Sequence, residues 1–238
     1  MITSPVDYPL GPKHLRRLGF FFITARGITM SRISFYVDGF NMYHALQEIP
    51  QGYSTAKYQK YKWLNYRKLA ESVIGTHDTI EKIAYFTAYA KWKPKSVKRH
   101  KEYIKALRSV GVDIIMGRFK RRDKHCHLCQ RTFLTHEEKR TDVNIALHIV
   151  ADAVENRFDR AILISADSDL LPVIEIVHRL APDKEVGVMF PIGRAVEDLR
   201  RNADFIRKMP ENLLQASQFP DAVNVGASII TRPSNWPK

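Results

Sequence analysis

Ala161-Ile162-Leu163-Ile164-Ser165-Ala166-Asp167-Ser168-Asp169 is the stretch on which the fold turns. Ala161 to Ser165 is a short, nearly unbroken apolar run, which predicts a central strand buried on both faces. Two aspartates then fall just past the strand end. Asp169 to Leu180 reads as a helix with Pro172 in its first turn, where the missing N–H costs little. Upstream, Asp142 to Asn156 is the strongest helical segment, with Val143, Ala146, Leu147, Val150 and Val154 as its expected buried face.

The same grammar extends in both directions. Ile33 to Val37 predicts a strand ended by Asp38-Gly39, followed by a helix over Asn41 to Gln47 with Asn41 as cap. Gln51 to Lys62 reads as a loop, Leu64 to Ile74 as a helix and Lys82 to Ala88 as a strand. Ser96 to Val110 is a helix closed by Gly111, and Val112 to Met116 a strand. Glu185 to Phe190 is a further strand and Gly193 to Arg201 a further helix. Strands alternating with helices predict an α/β fold: one domain with a mostly parallel central sheet flanked by helices. The domain spans residues 31–209, with a basic, cysteine-containing insertion over 117–139. Residues 1–30 read either as a disordered extension or as a misassigned leader with Met30 the natural start. Residues 210–238 form a C-terminal segment that either packs partly or trails as a tail.

Composition narrows the function. The chain of 238 residues carries a formal net charge of +13, which favours polyanionic partners. No apolar run approaches the ~20 residues of a membrane span. His14 to Ile23 resembles only a poor signal peptide: the apolar part is brief, Arg26 interrupts its far side and no clear small-residue cleavage site follows. Two cysteines make no disulfide framework, so a reducing cytoplasm is the expected compartment.

In open α/β sheets, ligands bind outside the carboxyl ends of the strands. Asp38, Asp142, Asp167 and Asp169 all fall at strand ends or helix starts, with Asn41 near the same edge. Carboxylates gathered there need a cation to neutralise them, and magnesium or manganese accepts such oxygen donors. Each acid alone has an ordinary reading: Asp169 and Asp142 also suit the positive end of a helix. Together they suit hydrolysis of a phosphodiester by metal-activated water.

Asp38-Gly39-Phe40-Asn41, Glu138-Lys139-Arg140-Thr141-Asp142-Val143 and Ser165-Ala166-Asp167-Ser168-Asp169-Leu170 resemble, in order, the D-G-x-N, K-x-x-D and S-x-D-S-D segments of the NYN domain. This is a LabA-like branch of the PIN-like nucleases. The likeness covers roughly residues 31–210, and Ser217 to Asp221 resembles a bacterial subgroup. It implies a PIN-like Rossmannoid fold and metal-dependent cleavage of RNA. By it Asp38, Asp142 and Asp167 hold the ion, Asp169 assists, and Asn41 orients a ligand, water or phosphate. Arg140 departs from the pattern, where a glycine, acidic or polar residue is expected.

Two further features stand outside the motifs. Cys126 and Cys129 form a C-x-x-C knuckle, and His136, with His125 or His127, would complete a zinc set; a metal-free loop is the alternative. Lys91, Trp92 and Lys93, then Arg118, Lys120 and Arg121, then Lys139 and Arg140, are candidates for holding single-stranded RNA. Trp92 and Phe119 would stack on bases, or simply pack. The rival readings are an RNA-binding module of the same fold without catalysis, a haloacid-dehalogenase-like phosphatase, and a partner-binding scaffold. The phosphatase wants a second aspartate where Phe40 stands. A homo-oligomer is compatible with all of them.

Overall fold

The structure, a computed structural model, describes residues 30–47, 57–234 and 236. The N-terminal extension expected over 1–30 lies almost wholly outside the described residues. Six parallel strands form the central sheet: β1 (Arg32–Asp38), β2 (Thr79–Thr87), β3 (Asp113–Met116), β6 (Arg160–Ile164), β7 (Glu185–Met189) and β8 (Ile206–Arg207). Their order is β3-β2-β1-β6-β7-β8. The chain winds outward from β1 in one direction, then returns to lay β6 on its other side. The β1–β6 seam is therefore the switch point, where such sheets open a crevice.

Alternation along β1 shows why both faces are covered. Ile33, Phe35 and Val37 face one buried cluster, and Tyr36 faces the other. The first cluster takes α1 (Gly39–Gln47), α2 (Tyr66–Glu71) and α3 (Pro94–Ser109). The second takes α4 (Thr141–Val154), α5 (Leu171–Leu180) and α6 (Glu197–Asn202). Among the described residues, no helix is long and apolar enough to cross a membrane.

The chain after residue 210 packs into the first cluster. It forms α7 (Glu211–Ala216) and an antiparallel pair, β9 (Ala222–Val225) with β10 (Ser228–Thr231). Leu214, Phe219 and Ile230 are buried there with Trp63, whose indole N–H donates to the Pro220 carbonyl at 2.8 Å.

One local expectation is corrected and another gains a definite form. On α4 the buried residues are Thr141, Ile145, Ile149, Asp152 and Ala153; of the expected face Ala146 and Val150 pack half-buried against the second cluster, while Val143, Leu147 and Val154 face solvent. The helix is apolar on two stripes, and the sheet takes the one that also brings Asp152 to Tyr36. Asp152 Oδ2 accepts from the Tyr36 hydroxyl and from Lys82 Nζ, each at 2.7 Å. Second, the basic insertion is an ordered antiparallel hairpin, β4 (Arg118–His125) with β5 (Thr132–Lys139). Cross-strand pairing holds it together despite its polarity, with Arg122 reaching across to Glu137, which Lys139 also meets along β5.

Candidate metal centre

β1 ends at Asp38, and α1 begins at the next residue. The turn is possible because residue 39 is glycine: a Cβ there would lie 2.5 Å from the Tyr85 ring and 2.7 Å from the Phe86 carbonyl. Asp38, not Asn41, caps α1. Its Oδ1 accepts from the Phe40 and Asn41 amides at 3.1 and 2.9 Å. Asn41 is freed to cross the seam, where its Oδ1 accepts from the Ala166 amide at 3.1 Å.

The loop after β6 is tied to the same acid. Ser165 Oγ donates to Asp38 Oδ2 at 2.9 Å and accepts from the Asp167 amide at 3.1 Å. Asp167 in turn accepts from the Asp169 amide at 3.0 Å, capping a short 3-10 turn over Ser168–Leu170. Asp142 arrives on the first turn of α4. Carboxylate oxygens of Asp38, Asp142 and Asp167 all lie within 4.8 Å of one another.

Asp38 is only 3% exposed. Burial raises its carboxyl above the usual range, opposed by the Asn41 amide and Ser165. The Asp142 carboxyl is pushed up to about 6, by partial burial first and then by Asp38, Asp167 and Asp169. Among the described residues, no lysine or arginine forms an ion pair with Asp38, Asp142 or Asp167. Three hard oxygen donors with uncompensated charge fit a divalent cation of the magnesium or manganese kind. Asp169 is exposed and outside the converging set, although its charge is felt at Asp142.

Glu138 was not singled out from the sequence. It is half-buried at the end of β5, its Oε1 accepts from the Thr141 hydroxyl, and burial raises its carboxyl, with Asp142 and Asp38 adding to the effect. Its position three residues ahead of Thr141, in the motif holding Asp142, was the available signal.

All eight candidate RNA contacts (Lys91, Trp92, Lys93, Arg118, Lys120, Arg121, Lys139 and Arg140) are exposed. Arg118 and Lys139 pair at the base of the hairpin, close to where Asp142 enters. Arg140 sits at φ 82°, a left-handed conformation that a glycine would adopt without strain. The aromatic residues pack on one another. Phe40 meets Phe119 at 5.3 Å, Phe119 meets Trp92 at 4.7 Å, and Trp92 stacks on His136 at 3.6 Å. This row borders a cavity of about 660 Å³ that starts at Gly39 and includes Tyr43, Lys62 and Arg99. No acidic side chain is among its described lining residues, and burial, then Arg99, lowers the Lys62 ammonium.

The zinc set does not assemble. Cys126 and Cys129 lie at the hairpin tip, while His136 pairs with Arg121, four register positions down from His125 and Thr132. At ~3.4 Å per residue that places it about 14 Å away. Both His125 nitrogens are engaged, by Thr132 and Gln130.

The chain is 26% identical over 245 aligned positions to 6-hydroxy-3-succinoylpyridine 3-monooxygenase HspA from Pseudomonas putida, covering 86% of this chain and 75% of that one. A crystal structure of a protein of unknown function from Vibrio parahaemolyticus superposes with a TM-score of 0.55 at 18% identity, over 79% of this chain and 98% of that one. That likeness is one of fold. Residues 32–210 match the NYN domain, and with most of the chain accounted for, the protein belongs to the NYN domain family.

Proposed function

We propose that this NYN-family chain is a divalent-metal-dependent ribonuclease that hydrolyses phosphodiester bonds in single-stranded RNA. The observation that carries the proposal is the convergence of Asp38, Asp142 and Asp167 at the switch point of the sheet, without a cationic partner. A magnesium or manganese ion bound there would supply charge neutralisation and activate water. The chain's own residues supply the rest. The Phe40 and Asn41 amides and Ser165 fix the Asp38 carboxylate. Asn41 locks the β6 loop to α1, which keeps Asp167 in place. Arg118, Lys139 and Arg140 surround the entry of α4 and would neutralise backbone phosphates. Phe40, Phe119 and Trp92 would offer ring faces to unpaired bases.

The test is an end-labelled single-stranded RNA incubated with Mn²⁺, Mg²⁺ or EDTA, alongside Asp167→Asn. Metal-dependent cutting that the variant loses is expected. RNA bound equally by both proteins, uncut and indifferent to metal, would favour a binding module instead.

The cavity beside the centre supports a second reading. Its aromatic rings and the pair Lys62 and Arg99 suit a planar aromatic acid, and the volume is that of a small-molecule site. The substrate named for the Pseudomonas relative is a pyridine bearing an acidic chain. Calorimetric titration with a pyridine carboxylate, against wild type and Lys62→Ala, separates the two readings. Saturable heat that the variant loses supports small-molecule binding, and no heat removes it.

A further inference from the structure

The two cysteines have no role in the aspartate centre, and the structure leaves them as a preformed pair. Cys126 and Cys129 occupy the turn of the β4–β5 hairpin, at the far end from the sheet. The turn is closed by the Cys126 amide donating to the Arg131 carbonyl at 2.9 Å. It is further fixed by Gln130, whose side chain donates to the His127 carbonyl at 2.8 Å. The Cys129 amide and thiol, and the Leu128 amide, lie in hydrogen-bonding reach of the Cys126 sulfur, so the two thiols face one point.

A structural zinc site needs four ligands. Within this chain the tip offers two. His125 is engaged at both nitrogens, His127 lies edge-on to it and converges with neither cysteine in a set of three, His136 is stacked on Trp92, and the aspartates are the sole set of three or more converging ligands among the described residues. Between the cysteines, Leu128 is 98% exposed, an apolar side chain left in solvent at the turn of a polar hairpin. We propose that Cys126 and Cys129 are half of a tetrahedral four-thiolate zinc site, completed by the same pair from a second copy of this chain.

Electrostatics make such a contact depend on the metal. The hairpin carries Arg118, Lys120, Arg121, Arg122, Lys124 and Arg131, so two bare tips repel. Four thiolates around Zn²⁺ leave a net negative core that the flanking cations offset. Leu128 from each copy would then be covered against the other.

The full-length protein, purified under reductant, should be loaded with Zn²⁺ and its mass measured by light scattering, with metal counted per chain. Because the aspartate centre also accepts divalent ions, the count is taken as the difference between wild type and the double variant Cys126→Ser, Cys129→Ser. The expected difference is about half an ion per chain. Wild type should run at twice the 27.5 kDa chain mass with zinc and as a monomer after chelation. Cobalt substitution should give the absorption of a tetrahedral thiolate site in wild type and not in the double variant. The proposal is overturned by a monomer holding a full additional ion at the tip, by a dimer that survives in the double variant, or by equal metal content in both proteins. The double variant should keep the wild-type unfolding temperature after chelation, since both positions lie outside the buried clusters.

Discussion

Ser165 and Asp38 meet across the β1–β6 seam, Ser165 Oγ donating to Asp38 Oδ2 at 2.9 Å. Because the same hydroxyl oxygen accepts from the Asp167 amide, one side chain sets the spacing of two of the three converging acids. Ser165→Ala should leave the fold intact and weaken Mn²⁺ binding by roughly 10-fold or more, the usual effect of removing a group that orients a ligand. Calorimetric titration of both proteins checks this, and equal affinities would remove Ser165 from the centre.

His100 links stability to pH. It lies against Thr87 at 3.1 Å, and burial lowers its imidazole to about 4. The unfolded chain therefore binds a proton between roughly pH 6.5 and 4 that the folded chain does not. The stability contributed by neutral His100 is complete above pH 6.5 and declines as pH falls toward 4. The difference in unfolding free energy between wild type and His100→Gln should shift against wild type by up to about 3 kcal/mol across that window. Urea melts at several pH values measure it, and a pH-independent difference would contradict the assignment.

Asp152 is held inside the fold by Tyr36 and Lys82. Asp152→Ala would leave Lys82 and a buried hydroxyl without their acceptor, so a loss of about 3 kcal/mol is expected. Denaturant unfolding decides, and a loss within experimental error would mean the pair is solvated. Lys82→Met with Asp152→Leu and Tyr36→Phe should recover much of it, because apolar side chains can replace a buried polar cluster when every member is replaced.

The strands and the acids at their ends were readable because a parallel strand buried on both faces is written as a compact apolar run. Ile33 to Val37 and Ala161 to Ser165 have no competing helical reading, and Asp38 and Asp167 follow directly. The buried face of α4 was only partly readable: Ala146 and Val150 do pack on the second cluster, but Val143, Leu147 and Val154 make as good a stripe as Ile145, Ile149 and Ala153. What separates them is the sheet's Tyr36 meeting Asp152, a contact 116 residues apart in sequence. The hairpin escaped notice because Arg118 to His125 has no apolar alternation, and its order comes from the partner strand. Asn41 was misread as a cap for a similar reason: its true acceptor role depends on Ala166, 125 residues downstream.

Arg140 marks a conformational cost within the motif that delivers Asp142. At φ 82° a side chain is disfavoured and glycine is not. Arg140→Gly should stabilise the protein by about 0.5–1 kcal/mol, read as a higher unfolding temperature. If Arg140 also neutralises phosphate, the same variant should bind RNA more weakly and with a shallower salt dependence.

The most direct test of the aspartate centre is the unfolding temperature of wild type and Asp142→Asn, each with and without Mn²⁺. Without metal the variant should be the more stable protein, because it removes a carboxylate whose ionisation Asp38, Asp167 and Asp169 oppose. With Mn²⁺ at about 100 times its dissociation constant, wild type should gain about 2.7 kcal/mol and the variant far less. A wild type unmoved by Mn²⁺, together with a variant destabilised in its absence, would contradict a metal centre at Asp38, Asp142 and Asp167.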